Sequence, residues 1–230
     1  SRQGLEIAKK IMKFITKTAH LTSQKLAKEK GVFLNYDLSS WKKRGIKMRN
    51  AALTCIAPTG TISMIPEVSS GIEPYFALAF TKQQIMGEHE FYYINQYLEK
   101  KLKQEGLYSP KIVNKIYEKG TIQNIKEIPE NIKKVFVGAM NISPKYHIKM
   151  LSFFQKYVDN SISKTVNLPN EATRFDVEKA IILAWKLKCR AFTTYRSGSR
   201  EEEVLTAPND QQKQMKNIIS ISSLLGDSTQ

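Results

Sequence analysis

Leu5, Ala8, Met12, Ile15, Ala19 and Leu26 recur at three-, four- and seven-residue intervals among lysines. This spacing predicts an amphipathic helix over residues 5–29, ended by Gly31. The run AALTCIA, residues 51–57, breaks the rhythm. It is short, apolar at successive positions and stopped by Pro58, as expected for a strand covered on both faces in a parallel sheet. GIEPYFALAFTK reads as a second extended segment. Residues 83–142, rich in Lys, Glu, Tyr, Ile and Asn, space Phe91, Ile94, Leu98 and Leu102 as a helix would. They form a helical excursion from the main core. Ser143-Pro144 then offers an N-cap with proline at the first helical position, and His147, Met150, Leu151, Phe154 and Val158 follow at helical spacing.

ISKTVNLP is a compact strand-like run ended by Pro169. Thr173 and Asp176 resemble a capping box at the head of a helix whose inward stripe is Val177, Ala180, Ile181, Ala184 and Trp185. CRAFTTYR is the last strand, and SGSR turns the chain away. Helices alternating with short apolar strands predict α/β architecture with largely parallel pairing. The last stretch, 206–230, holds QQKQ and a Ser-rich end and reads as a mobile tail.

Composition adds little to this picture. The apolar share is 41% and the charged share 25%, both ordinary for a globular chain of 230 residues. No apolar stretch approaches the roughly 20 residues that span a bilayer. The first residues carry no secretory pattern. Two cysteines far apart make neither a metal motif nor a disulfide framework, which favours a reducing, cytoplasmic setting. The net charge of +15 is spread along the chain, while the segment from Glu201 onward carries five acids against Lys213 and Lys216. Dispersed lysine solvates helix faces and gives only general attraction for anionic ligands such as nucleotides.

The candidate chemistry starts at APTGTIS, residues 57–63. A strand delivers the chain there, Gly60 lets a ligand approach the backbone, and Thr59, Thr61 and Ser63 set hydroxyls beside amides that suit phosphate. The same residues would serve a strand-to-helix turn whose hydroxyls cap the helix. No lysine follows the glycine, so the stretch is not a Walker A loop. SSGIEP presents Glu73 beside a glycine turn, where it could organise a loop or cap a backbone turn. DNSISK sets Asp159, Asn160, Ser161 and Ser163 before a strand, and turn hydrogen bonds explain them equally well. His20, His89 and His147 lie near no nucleophile. Cys55 and Cys189 read as small buried hydrophobes. Tyr195 could line a pocket at a strand end.

Taken in order, MRNAALTCIAPTGTIS, SSGIEPYFALAFTK, FQKYVDNSISKTVNLPNEAT, ILAWKLKCRAFTTYR and SGSR resemble successive blocks of ribonucleotide reductase large chains, and specifically the adenosylcobalamin-dependent class II type. The resemblance covers most of residues 1–205 and is weakest over 83–142. It implies part of a ten-stranded α/β barrel of the ribonucleotide reductase and glycyl-radical type, this chain being its C-terminal portion. It further implies reduction of ribonucleotides to deoxyribonucleotides, started by a cysteine thiyl radical and powered by adenosylcobalamin bound mainly outside this chain. Pro58, Thr59, Gly60, Thr61, Ile62 and Ser63 would hold the substrate phosphates, with Glu73, Asn160 and Ser161 as supporting pocket residues. Implied partners are a ribonucleoside di- or triphosphate, the N-terminal reductase portion, an external thiol reductant and a second copy in a homodimer, with no membrane.

The departures are equally specific. The Asn-x-Cys-x-Glu motif of the radical cysteine does not occur, nor does a C-terminal cysteine pair. No catalytic or metal-binding residue is therefore expected in this chain, and it reads as a fragment or a split-gene product that is incomplete alone. The competing expectations are a non-catalytic basic nucleotide- or nucleic-acid-binding module, and a class I large-chain fragment served by a partner radical protein.

Overall fold

The computed structural model describes residues 1–83 and 90–199. The chain divides into two compact units, one built from Ser1–Glu73 with Ser143–Arg196 and the other from Pro74–Ile142. The expected tail at 206–230 and His89 lie outside the described residues.

The first unit opens with α1, Arg2–Lys30, whose Ser1 hydroxyl accepts the Gly4 N–H as N-cap. Its buried stripe is Leu5, Ala8, Met12, Ser23 and Ala27, with Ile15 turned outward at 45% exposure. The inward line thus passes through polar residues that apolar spacing does not reveal. Thr16 donates to the Tyr157 carbonyl. Ser23 accepts the N–H groups of Arg49 and Asn50 and donates to the Asn50 side chain, so its burial leaves no orphaned group. A four-residue helix, α2, covers Ser40–Lys43.

The other helices of this unit are α6 (Pro144–Gln155) and α7 (Arg174–Lys186), and its strands are β3 (Thr165–Leu168) and β4 (Thr193–Arg196). α6 packs against α1, α7 and β3, and Pro144 sits at its start as expected. The Ser143 side chain makes no cap bond there. β3 and β4 pair in parallel, Thr165 with Thr193 through Leu168 with Arg196, and α7 is their crossover. α7 begins with the expected capping box of Thr173 and Asp176. It meets its neighbours through Ala180 and Ala184, while Ile181 and Trp185 are exposed, contrary to the expected stripe. Two alanines let the helix lie close to Ile148 of α6 and Val166 of β3, with Leu183 packed beside them, which leaves Ile181 and Trp185 on the far face.

AALTCIA is not a regular buried strand. It forms one parallel bridge, Ile56 with Ile162, supported by Asn160 N–H to Thr54 O, Ile56 N–H to Ser161 O and Ser163 N–H to Ile56 O. Ala51, Ala52 and Cys55 are exposed, so the apolar run marks a strand-like edge, not a covered centre. Thr193 N–H donates to Lys164 O on the opposite side of the central segment. Residues 54–56, 160–168 and 193–196 therefore run side by side.

The second unit has its own core. β1, Ala79–Gln83, pairs antiparallel with β2, Glu90–Ile94. Phe91 and Ile94 thus lie on a strand, not on the expected helix. The Asn95 side chain accepts the N–H groups of Tyr97 and Leu98 and starts α3 only at Gln96–Gln104. α4 (Pro110–Lys119) and α5 (Glu130–Lys133) follow. Leu98, Leu102, Ile116, Ile122, Ile125 and Ile128 are among the side chains closed into this core.

Candidate functional site

The residues around APTGTIS are held by a small set of hydrogen bonds inside the first unit. Thr59 adopts φ +51°. Its hydroxyl accepts the Gly71 N–H at 2.9 Å, and its carbonyl accepts the Ser63 N–H at 3.0 Å. A single 3-10 turn, Ile62–Met64, follows in place of a longer helix. The Ser63 hydroxyl donates to Gly60 O at 3.1 Å and meets the Ser70 hydroxyl at 3.0 Å. Ser63 is thus buried in bracing, whereas Gly60 and Thr61 are exposed. Among the described residues, no backbone acceptor takes the N–H of Gly60 or Thr61. A Cβ added at Gly60 would meet no atom within 4 Å, so internal packing does not demand glycine there.

Beside this turn opens a cavity of about 660 Å³ lined by residues 55–58, 160–164 and 190–193. The three parallel segments therefore contribute one wall each. Pro58, Asn160 and Ser161 meet at this cavity, and Thr59 to Ser63 continue from Pro58. Glu73 is not part of the lining. Its carboxylate accepts the Lys164 ammonium at 2.5 Å and the Thr165 N–H. Tyr195, paired with Asn167 in β4, is not in the lining either.

Several residues that shape the site carry no motif. Asp159 accepts the N–H groups of Leu53 and Thr54 and lies 2.9 Å from His20 Nε2, while its own N–H donates to the Thr54 hydroxyl. That clasp aligns the strand-like segment 53–57 with 160–163. Arg190 donates to the carbonyls of Asp159 and Asn160 and holds the third wall to the second. Lys164 is 2% exposed, and burial pushes its ammonium below the ordinary lysine pKa, opposed by the hydrogen bond and charge of Glu73. Its signal was available: a lysine inside an apolar strand run is rarely buried without a partner. Among the cysteines, Cys55 is exposed and lines the cavity, against the expectation of a buried residue. Its segment is covered on too few sides to close over it. Cys189 is half-buried and packs on the core, where burial pushes its thiol pKa up.

A helix-linked parallel strand pair, extended by a third parallel segment and walling a cavity with a polar turn at its rim, is an α/β arrangement. The chain belongs to the ribonucleotide reductase barrel-domain family, which matches residues 43–195. It is 42% identical over 229 residues to the vitamin B12-dependent ribonucleoside-diphosphate reductase of Thermoplasma acidophilum, covering 99% of this chain and 30% of that protein. The enzyme of the same description from Mycobacterium tuberculosis H37Rv is 37% identical over 90% of this chain and 29% of its own length. The alpha subunit of a ribonucleoside-diphosphate reductase from Chlamydia pneumoniae is 30% identical over 85% of this chain and 22% of its own length. Among solved structures, the class Id ribonucleotide reductase alpha subunit of Actinobacillus ureae aligns with a TM-score of 0.73 at 25% identity, covering 86% of this chain and 35% of that one. The chain thus spans about 30% of the length of these two B12-dependent relatives.

Proposed function

We propose that this chain is the part of a ribonucleotide reductase that grips the phosphates of a ribonucleotide while residues elsewhere replace its 2′-hydroxyl with hydrogen. The observation that carries the reading is the exposed pair of amides at Gly60 and Thr61, unengaged within the described chain and contiguous with the cavity wall at Pro58. Such amides bind phosphate oxygens without a charged side chain. Asn160 and Ser161 face the same cavity and would contact the rest of the nucleotide. Glu73 supports the site from behind through Lys164 and β3. The segments 54–56, 160–168 and 193–196 would be neighbouring staves of a ten-stranded α/β barrel completed by the N-terminal reductase portion.

The higher identity to B12-dependent relatives favours adenosylcobalamin as the source of the radical over a class I partner protein. When bound, that cofactor supplies homolysis of its cobalt–carbon bond. That corrinoid carries its cobalt within its own ring and needs no cluster of protein metal ligands. The corrinoid would be held mainly outside this chain, and the residues described here serve binding alone. The thiyl radical likewise falls to a cysteine elsewhere, since neither Cys55 nor Cys189 lies in an Asn-x-Cys-x-Glu setting. The external thiol reductant and the homodimer belong to that whole enzyme, which would work in the cytoplasm.

Gly60→Val tests the reading. A Cβ at Gly60 meets no atom within 4 Å, and the bulk of valine should crowd a ligand approaching the two amides. In the chain combined with its N-terminal portion, adenosylcobalamin and a dithiol, the variant should keep its unfolding midpoint. It should bind a ribonucleoside diphosphate at least about tenfold more weakly by calorimetry, a loss of roughly 1.4 kcal/mol. Unchanged affinity overturns the phosphate-loop assignment.

A further inference from the structure

Among the described residues, the largest fully buried side chain is a lysine. The three protons of the Lys164 ammonium meet three acceptors: Glu73 Oε2 at 2.5 Å, His147 Nδ1 at 3.0 Å and the Thr165 carbonyl. An ammonium can only donate, so Nδ1 of His147 is the acceptor and the ring carries its proton on Nε2. His147 is itself 2% exposed and sits in the first turn of α6. Glu73 completes its side of the cluster with its second oxygen, which accepts the Thr165 N–H. A buried charge with this many partners is costly to assemble and strongly disruptive to break.

What the cluster holds is the loop behind the phosphate turn. Glu73 ends the segment SSGIE, its N–H donating to Ser70 O at 2.8 Å. Ser70 meets the Ser63 hydroxyl, and Gly71 N–H reaches the Thr59 hydroxyl. Gly71 has φ +52°, and a Cβ there would come within 3.0 Å of Ala57 O and 3.2 Å of the Ile56 side chain. The 69–73 segment therefore lies directly against residues 56–63 and fixes Thr59 in its left-handed conformation. Its ionic anchor to the sheet is Glu73 on Lys164.

We propose that Lys164 and Glu73, with His147 orienting the ammonium, form an internal latch that positions the 58–63 turn through the 69–73 segment. The consequence for phosphate affinity rests on the assignment of that turn as the phosphate loop. The latch itself does not, because the geometry of the turn can be read without ligand. Lys164 is in these terms a positioning residue, and its removal loosens a turn that begins more than 100 residues away in sequence.

The test compares Lys164→Met, Glu73→Gln and the double variant in the full chain by amide hydrogen exchange, with nucleotide binding measured alongside. Each single variant should speed exchange of residues 59–73 at least about tenfold while the β3 and α7 amides keep their rates. The double variant should add little to either single, because both break one contact. Affinity for a ribonucleoside diphosphate should fall severalfold with affinity for the unphosphorylated nucleoside unchanged, a selectivity that general loss of stability would not give. If Lys164→Met does not fold, Glu73→Gln, at a half-buried position, gives the same readings. Unchanged exchange over 59–73 in the folded variants overturns the latch even where Gly60→Val weakens binding. Faster exchange over 59–73 with Gly60→Val inert upholds the latch and removes only the phosphate assignment.

Discussion

Thr59 holds φ +51°, a region in which a β-branched residue is strained by about 1–3 kcal/mol unless neighbours over-determine it. Here the Gly71 N–H on its hydroxyl and the Ser63 N–H on its carbonyl do so. At this scale the sequence pointed to the right stretch but not to its mechanics. Threonine, glycine and serine in APTGTIS announce a turn, yet the groups that fix it arrive from Gly71 and Ser70, and behind them from Lys164. Hydrogen bonds joining residues some 90 positions apart leave no periodic trace. Lys164 also gives a pH dependence. Burial lowers its pKa below the ordinary 10.5, so between the folded and unfolded values the unfolded chain holds more protons. The contribution of Lys164 to stability should then rise with pH across that window and be lowest below it. Urea unfolding from neutral pH toward pH 10 should show this rise in the wild-type chain relative to Lys164→Met, and equal slopes would mean that Lys164 is not desolvated.

Among the elements, legibility followed how much of the folding information is local. α6 and α7 begin where Ser143-Pro144 and Thr173 predict, and β3 and β4 fall inside ISKTVNLP and CRAFTTYR. Caps and proline act within four residues, so one sequence suffices to see them. AALTCIA departs from the covered strand it predicts because apolarity at successive positions does not itself supply cover, which depends on what else the chain places there. Phe91 and Ile94 misled because three- and four-residue spacing crosses the strand-to-helix junction at Asn95 without a break. Ile181 and Trp185 face outward because bulk does not set inwardness, and close packing of α7 places Ala180 and Ala184 at the contact. The capping box gives a direct check. Thr173→Ala removes the acceptor for the Asp176 N–H and should cost about 1 kcal/mol, whereas Thr173→Ser should recover most of it, both read from chemical unfolding.

The whole molecule is organised around separate apolar clusters, one set around α6 in the first unit and another in residues 78–136. The order of the sequence blocks announced the first unit's family, since its segments carry the turn, the cavity and the parallel pairing. The second matched that pattern least, and its core of isoleucines and leucines around short helices was visible only as a change of character. This division makes the binding reading selective for position. Leu151 is fully buried in a cluster with Ile56, Ile162 and Phe192, all three of which also line the cavity. Leu98 is equally buried but lies in the other core. Truncating either to alanine removes similar apolar contact and should destabilise its own unit by about 2–5 kcal/mol. Their effects on the ligand should diverge. Leu151→Ala lets the cavity wall shift and should weaken ribonucleoside diphosphate binding severalfold, whereas Leu98→Ala should leave it within twofold at temperatures where both variants are folded. Calorimetric titration of the two variants decides it: equal losses would mean that the nucleotide senses global stability, and the placement of its site on the first unit's three parallel segments would have to be given up.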